Sequence, residues 1–431
     1  MRISVVGTGY VGLVTAAIFA DFGHEVWGVD VDQAKIESLK SNIIPFYEPG
    51  LKELVSNNIK NGRLNFTTDY RKAISNSQII FICVGTPSKK DGGYDLSYVF
   101  SAAKTIAENL KNYAVICIKS TVPPSTAEEV KKIINQATKV YFDLASCPEF
   151  LREGSAVEDS FHPSRIIIGA ETKKAQELLI KLHQSIKAPL LICDIKSAQM
   201  IKYAANAFLA TKISFINSIA NLCEKIGADI DQVAKGLGMD PRIGDKFLKA
   251  GLGYGGSCFP KDTWALIKYA QELGYDFTFL KEVDNVNNKQ IDYFIEKIKT
   301  NLHGLVKNKT VTILGLAFKP DTDDIREARS IVVINKLKQL GAIINVYDPI
   351  ANDNAKKIIT GINLFNNPYQ ALKNSSALIL ITEWLEFKNL DFKKIASLMK
   401  EKIIIDGRNF FNPGEFKKLG FIYVGIGRKN E

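Results

Sequence analysis

Histidine is scarce in this chain: four in 431 residues, at His24, His162, His183 and His303, none at metal-ligand spacing and none in a triad pattern. A zinc alcohol dehydrogenase and a Cys/His hydrolase are therefore poor readings, and no metal is expected. The six cysteines, Cys83, Cys117, Cys147, Cys193, Cys223 and Cys258, include no C-x-x-C pair. Most lie in apolar strand-like or helix-like runs, where a thiol packs as a small hydrophobe. That usage suits a reducing cytosol, so a cytoplasmic protein is expected. Long hydrophobic runs are missing too. The opening MRISVVGTGYVGLVTAAIFA carries Arg2 and three glycines and ends at Asp21, which suits neither a signal peptide nor a membrane span. Net charge is +10, yet the lysines are scattered and no basic run interleaves with aromatics, so neither nucleic acid nor a membrane is an expected partner.

What is present is alternation. RISVVG, a helical run to Phe22, EVWGVDVD and a helical run from Gln33 that fades near Asn42 give the βαβ signature of a parallel sheet. Further buried-strand candidates are SQIIFICVGTP, AVICIKSTV, VYFDLASCPEF, SRIIIGA and PLLICD, separated by helical patterns such as Leu96 to Leu110 and Thr172 to Ser185. From Ser197 to about Gly227 a helical period continues without a breaker, long enough to bridge domains or form an interface. A glycine-rich stretch, GLGYGGSCFP, precedes a helix from Lys261 to Leu273 and another running to about Leu302. A second alternating block then begins at KTVTILGLAF and continues through INVYDP, SALILITEW and EKIIIDGRN. The expected fold is α/β: two Rossmann-like parallel-sheet domains, 1–196 and 303–431, joined by a central helical segment, 197–302, that contains a long helix.

Gly7-Thr8-Gly9-Tyr10-Val11-Gly12 follows a strand and opens a helix. In that context the first glycine permits the tight turn, the second lets the backbone approach a pyrophosphate, and the third lets helix and strand pack closely. Asp30 ends the next strand at the offset where a carboxylate accepts from a ribose 2′-OH and repels a 2′-phosphate, which favours NAD over NADP; nearby Lys35 offsets part of that charge. Gly85-Thr86-Pro87 and Ser120-Thr121-Val122 also end strands of this sheet, where open α/β sheets bind ligands, although turn residues alone explain them adequately.

Five cysteines are assigned to core packing. Cys258 differs, because it lies in a flexible loop running directly into a helix with Pro260 near its first turn. The helix N-terminus aimed at the sulfur stabilises a thiolate, and Lys261 adds positive charge. Such a thiolate can attack an aldehyde.

Taken together, these segments resemble the UDP-glucose 6-dehydrogenase family, within a wider group that includes GDP-mannose and UDP-N-acetylmannosamine dehydrogenases. The resemblance spans essentially the whole chain. It rests on GTGYVGL, VGTP at Val84 to Pro87, KSTVPP at Lys119 to Pro124, CPEFLREGSAVED at Cys147 to Asp159, KYAANAFLATKISFIN at Lys202 to Asn217, GMDPRIG at Gly238 to Gly244, GLGYGGSCFPKD at Gly251 to Asp262 and LGLAFKPDTDDIREARS at Leu314 to Ser330. The resemblance implies NAD on the first domain, with Tyr10, Lys261 and Arg326 among its contacts, the uridine nucleotide near the third, and a homodimer built on the long helix. It implies Cys258 as the nucleophile and Lys202 with Asn206 as the paired lysine and asparagine. Asp262 and Thr121 would surround a catalytic water, Glu149 would be the base for thioester hydrolysis, and Glu153 would stand close to cofactor and substrate. It places Phe150 and Leu151 beside the sugar, and Lys249, Gly251, Leu252, Gly253, Tyr254 and Gly255 along the nucleotide. Phe318, Lys319 and Arg408 would surround the phosphates and glucose, and Arg242 would cross the dimer interface. Lys35 stands where some relatives have arginine, which bears on cofactor affinity rather than chemistry.

The implied activity is four-electron oxidation of UDP-glucose to UDP-glucuronate with two NAD+, through a thiohemiacetal and a thioester on Cys258. Two alternatives stand beside it: the same chemistry on GDP-mannose or UDP-N-acetylmannosamine, and a catalytically silent nucleotide-sugar sensor, which the presence of Cys258, Lys202, Asn206 and Asp262 argues against.

Overall fold

The computed structural model describes residues 1–89 and 91–428. The chain forms two compact units: Met1–Ala205 with Trp264–Gly274, and Asn206–Thr263 with Tyr275–Glu431.

The first unit is built on eight strands, β1 Arg2–Val6, β2 Glu25–Val29, β3 Leu64–Thr67, β4 Ile79–Ile82, β5 Ala114–Ile118, β6 Phe142–Ser146, β7 Ile166–Ala170 and β8 Leu190–Cys193. They lie in the order β3-β2-β1-β4-β5-β6-β7-β8. Central strands of such a sheet are covered on both faces and so read as continuous apolar runs. In β4, Ile79 and Phe81 enter one core cluster while Ile80 and Ile82 enter the other, the two-residue alternation of a pleated strand. All strand pairs are parallel except β6 with β7. The link between those two strands contains only the short helix Ala156–Phe161, whereas a parallel neighbour needs a full crossover. The sheet is thus parallel-dominated rather than wholly parallel, and the sequence of β7 carries no sign of its direction.

The second unit repeats the plan with β9 Thr310–Leu314, β10 Ile343–Tyr347, β11 Asn363–Leu364, β12 Ala377–Leu380, β13 Ile403–Asp406 and β14 Ile422–Val424, in the order β11-β10-β9-β12-β13-β14, all parallel. The short strands β3, β11 and β14 are the ones the apolar pattern does not single out.

Helix Tyr10–Asp21 shows why the opening glycines are required. Almost every residue is buried, and a Cβ on Gly12 would lie 1.9 Å from the Gly7 carbonyl oxygen. The helix ends at Phe22, where Gly23 turns at φ +87° and donates to the Ala20 carbonyl, a glycine-terminated end. The long helix spans Ile195–Ile226, and the helix after the Cys258 loop spans Phe259–Glu272, beginning before Lys261 because Pro260 fits its first turn, where no intrahelical N–H is needed. Among the described residues, no helix is long and apolar enough to cross a membrane.

Candidate active site

In the first unit the ligand-facing end of the sheet begins at the glycine turn. Gly7 adopts φ +96° and donates to the Val29 carbonyl at 2.7 Å. Thr8 donates through both N–H and Oγ1 to Asp30 Oδ2, each at 2.9 Å, and Lys35 Nζ reaches the same oxygen at 2.9 Å. Burial works to raise the Asp30 pKa, but the Thr8 N–H and the Lys35 ammonium outweigh it and hold the carboxyl below its ordinary value. Gly9 begins the helix with no side-chain cap, and a Cβ there would meet nothing within 4 Å. Open space beside uncapped N–H groups is what a pyrophosphate requires, so these residues fit a dinucleotide.

The second unit has the same turn with a different end. Gly315, at φ +93°, donates to the Tyr347 carbonyl, and Leu316 N–H donates to Asp348 Oδ2 at 2.6 Å. Asp348 also accepts from Ala317 N–H and from Trp384 Nε1 and is buried, so its carboxylate is fully used within the protein.

Further along the first sheet, Ser120 donates through Oγ to the Val84 carbonyl at 2.7 Å, tying the ends of β4 and β5 beside Gly85, Thr86 and Pro87. After β6, Glu149 Oε2 accepts from Leu151 N–H at 2.8 Å, and Glu149 Oε1 lies 2.8 Å from Lys202 Nζ. The Phe150 ring carries the Arg165 guanidinium 3.9 Å from its centroid and Lys202 Nζ at 5.5 Å. Glu153 is buried in the same loop, and Thr121 is half-buried after β5.

In the second unit, Cys258 is the one exposed thiol among the described residues. Its carbonyl accepts from Asp262 N–H at 2.8 Å, which places Cys258 at the N-terminal boundary of Phe259–Glu272, where the helix dipole favours a thiolate. Buried Cys83 behaves oppositely, since desolvation pushes its thiol up to about 12. One turn into that helix, the buried Asp262 carboxylate accepts from Asn206 Nδ2 at 2.6 Å and from Lys261 Nζ at 2.6 Å. Lys202 and Asn206 lie four residues apart on the long helix, each on a carboxylate: Glu149 for the lysine and Asp262 for the asparagine.

The loop before Cys258 is held by its backbone. Asn217 Oδ1 accepts from Gly251 N–H, Gln290 donates to the Gly251 carbonyl, and the Asn287 amide both accepts from Tyr254 N–H at 2.8 Å and donates to its carbonyl at 3.1 Å. Arg329 Nε also donates to the Tyr254 carbonyl. Arg408 donates to the carbonyls of Gly253 and Phe318, each at 3.3 Å, and a Cβ on Gly256 would strike the Phe318 ring. Leu252 is buried in the core of this unit. Lys249 lies over Phe410, and Lys319 over Phe318. Arg242 and Arg326 are each exposed and paired with an aspartate two residues earlier, Asp240 and Asp324. The buried amides Asn217, Asn287 and Gln290 escaped the sequence reading. Their one signal is polar residues at buried helical positions, as in the stretch DNVNNKQ.

Three family descriptions cover the chain in order. They are the UDP-glucose/GDP-mannose dehydrogenase family NAD binding domain on residues 1–187, its central domain on 196–289 and its UDP binding domain on 312–413. The chain is 49% identical to the UDP-glucose 6-dehydrogenase TuaD of Bacillus subtilis (strain 168), over 99% of this chain and 93% of that protein. It is 46% identical to a UDP-glucose 6-dehydrogenase of Rhizobium meliloti (strain 1021), over 99% of this chain and 100% of that protein. Its fold matches a solved UDP-glucose dehydrogenase from the archaeon Pyrobaculum islandicum with TM-score 0.92 and 38% identity, covering 99% of this chain and 98% of that one.

Proposed function

The chain belongs to the UDP-glucose/GDP-mannose dehydrogenase family, and from that membership we propose that it oxidises the C6 alcohol of UDP-glucose to the carboxylate of UDP-glucuronate. It is an NAD-dependent oxidoreductase, and bound NAD+ supplies the hydride acceptor for each of the two oxidations. The observation that carries the reading is the exposed Cys258 thiol at a helix N-terminus, with Asn206, Lys261 and Asp262 joined one turn into that helix.

In the proposed course, a base or water network takes the C6 hydroxyl proton in the first oxidation, and the Cys258 thiolate then attacks the resulting C6 aldehyde, forming a C–S bond as the carbonyl π bond opens to an oxyanion. Lys202 and Asn206 leave their resting carboxylates to donate to the resulting oxyanion, which is electrostatic stabilisation of the kind worth several kcal/mol. The second oxidation leaves a thioester. Water beside Thr121, deprotonated by Glu149 or Asp262, then breaks the C–S bond and returns the thiol. Phe150 and Leu151 would line the sugar, with Glu153 close to cofactor and substrate. Lys249 and the backbone from Gly251 to Gly255 would run along the nucleotide, Phe318, Lys319 and Arg408 would surround the phosphates and glucose, and Arg326 would reach the cofactor. The functional segments are proposed as 1–196 for the dinucleotide, 197–302 for the cysteine loop and association, and 303–431 for the UDP-sugar.

A homodimer in the cytoplasm completes the proposal. Phe208, Phe215 and Leu222 recur every seven residues along Ile195–Ile226 and are exposed together with Ile226, an apolar stripe that a second copy would cover and beside which Arg242 would act. Sedimentation of the Phe215→Glu variant as a monomer supports this, and a monomeric native protein rejects it.

The function is tested by counting NADH per sugar consumed with UDP-glucose, GDP-mannose and UDP-N-acetylmannosamine. Two NADH per UDP-glucose, with silent alternatives, is the expected result. Turnover only with another sugar moves the assignment to a sister activity, and no turnover with any of them overturns it.

A further inference from the structure

Glu48 lies in none of the motifs that point to the site, in the stretch PFYEPG between two helices, yet it is buried. A buried carboxylate is costly unless several donors face it. Here they do. Glu48 Oε2 accepts from Gly154 N–H at 2.6 Å and Oε1 from Ala156 N–H at 2.7 Å, with Val157 N–H at 3.4 Å. The hydroxyl of Tyr10 donates to Oε2 and itself accepts from Gly154 N–H at 2.9 Å. Tyr10 is the first residue of the helix that the glycine turn opens, and its ring stacks on Phe46, two residues before the carboxylate.

We propose that Glu48 is a positioning residue that fastens the loop bearing Glu149, Phe150, Leu151 and Glu153 to the dinucleotide turn through Tyr10. The inference rests on the proposed function for the roles of that loop, while the fastening itself does not. Gly154 makes the contact possible, since at φ +79° it aims its N–H inward where a side chain would be strained. The outer side of the loop is held separately, by Arg152 on Asp159. Glu48 is therefore the inner tie, and its reach to Tyr10 makes loop geometry and cofactor-turn geometry one arrangement. Glutamine keeps the size but offers one acceptor oxygen, and its NH2 must face either the N–H of Gly154 or that of Ala156.

The test is Glu48→Gln beside Glu48→Asp, read first by amide hydrogen exchange of residues 149–157 in the free protein. Expected are exchange at Gly154 and Ala156 faster by on the order of 10-fold or more with the melting temperature nearly kept, NAD+ binding weakened several-fold in titration, and kcat/KM for UDP-glucose lowered by roughly 10-fold. Tyr10→Phe added to Glu48→Gln should cost less than it does in the native protein. Exchange and NAD+ affinity both unchanged in Glu48→Gln overturn the proposal even if the native enzyme turns over. If the native enzyme is inactive, the functional reading fails, and the exchange and affinity results still decide this one. If glutamine prevents folding, Glu48→Asp carries the same measurements, and unchanged exchange there overturns the proposal equally.

Discussion

Lys202 Nζ lies 2.8 Å from a carboxylate oxygen of Glu149, with the two side chains only 6% and 9% exposed. Removing one partner of such a pair strands the other charge in a low-dielectric setting, which costs about 3 kcal/mol or more. Lys202→Ala should therefore lower the melting temperature and, if Lys202 donates to the oxyanion, also reduce kcat by on the order of 100-fold. Lys202→Ala with Glu149→Ala should regain much of the stability and none of the turnover. Thermal melts with steady-state kinetics separate the two roles, and a Lys202→Ala enzyme with native kcat would make the lysine purely structural.

Cys258→Ser tests the chemistry with little effect on folding, because the thiol is exposed and supports no core. Stability should change by less than about 0.5 kcal/mol, as for other surface substitutions. UDP-glucuronate formation should vanish, because a serine ester is formed and hydrolysed far less readily than a thioester. Chromatography of the products decides the matter. Native amounts of the acid from the variant would remove Cys258 from the mechanism.

These two sites were legible to different degrees. The glycine turn and Asp30 belong to one strand–turn–helix–strand run, and the approach to Cys258 is one loop entering one helix, so these local patterns are revealed by spacing alone. The Lys202–Glu149 and Asn206–Asp262 pairs join positions far apart in the chain, and spacing says only that Lys202 and Asn206 share a helix face. Glu48 was not legible at all, because its backbone donors are brought to it by packing from more than a hundred residues away and Tyr10 from 38. The antiparallel setting of β7 was lost for a related reason: strand composition reports burial, not direction.

Asp30 Oδ2 receives Thr8 and Lys35 together, so the acid both shapes the glycine turn and restrains the lysine. Asp30→Ala should weaken NAD+ binding and free Lys35 to meet a 2′-phosphate. The ratio of kcat/KM for NADP+ over NAD+ should rise by on the order of 10-fold or more, the scale of gaining one charge partner and losing one ribose acceptor. Lys35→Ala on that background should reverse the gain in NADP+. An unchanged cofactor preference in Asp30→Ala would mean the ribose is read elsewhere.

Acid stability should depend on His183. Its Nδ1–H donates to the Leu179 carbonyl at 2.8 Å, and its ring packs edge-on against Phe19 inside the first unit. Burial, with Lys119 and His24 adding repulsion, lowers its pKa to about 4, against the opposing Leu179 carbonyl. The unfolded chain, with an ordinary histidine near 6.5, therefore binds the extra proton first as pH falls. Stability from this residue is full above about pH 6.5 and is lost progressively toward pH 4, by about 3 kcal/mol in all. His183→Leu removes the titrating group while keeping an apolar filler, so its denaturation midpoint should fall less steeply than the native one across that window. Parallel curves for the two proteins between pH 7 and 4 would mean that the acid sensitivity arises from the carboxylates, whose loss belongs to lower pH.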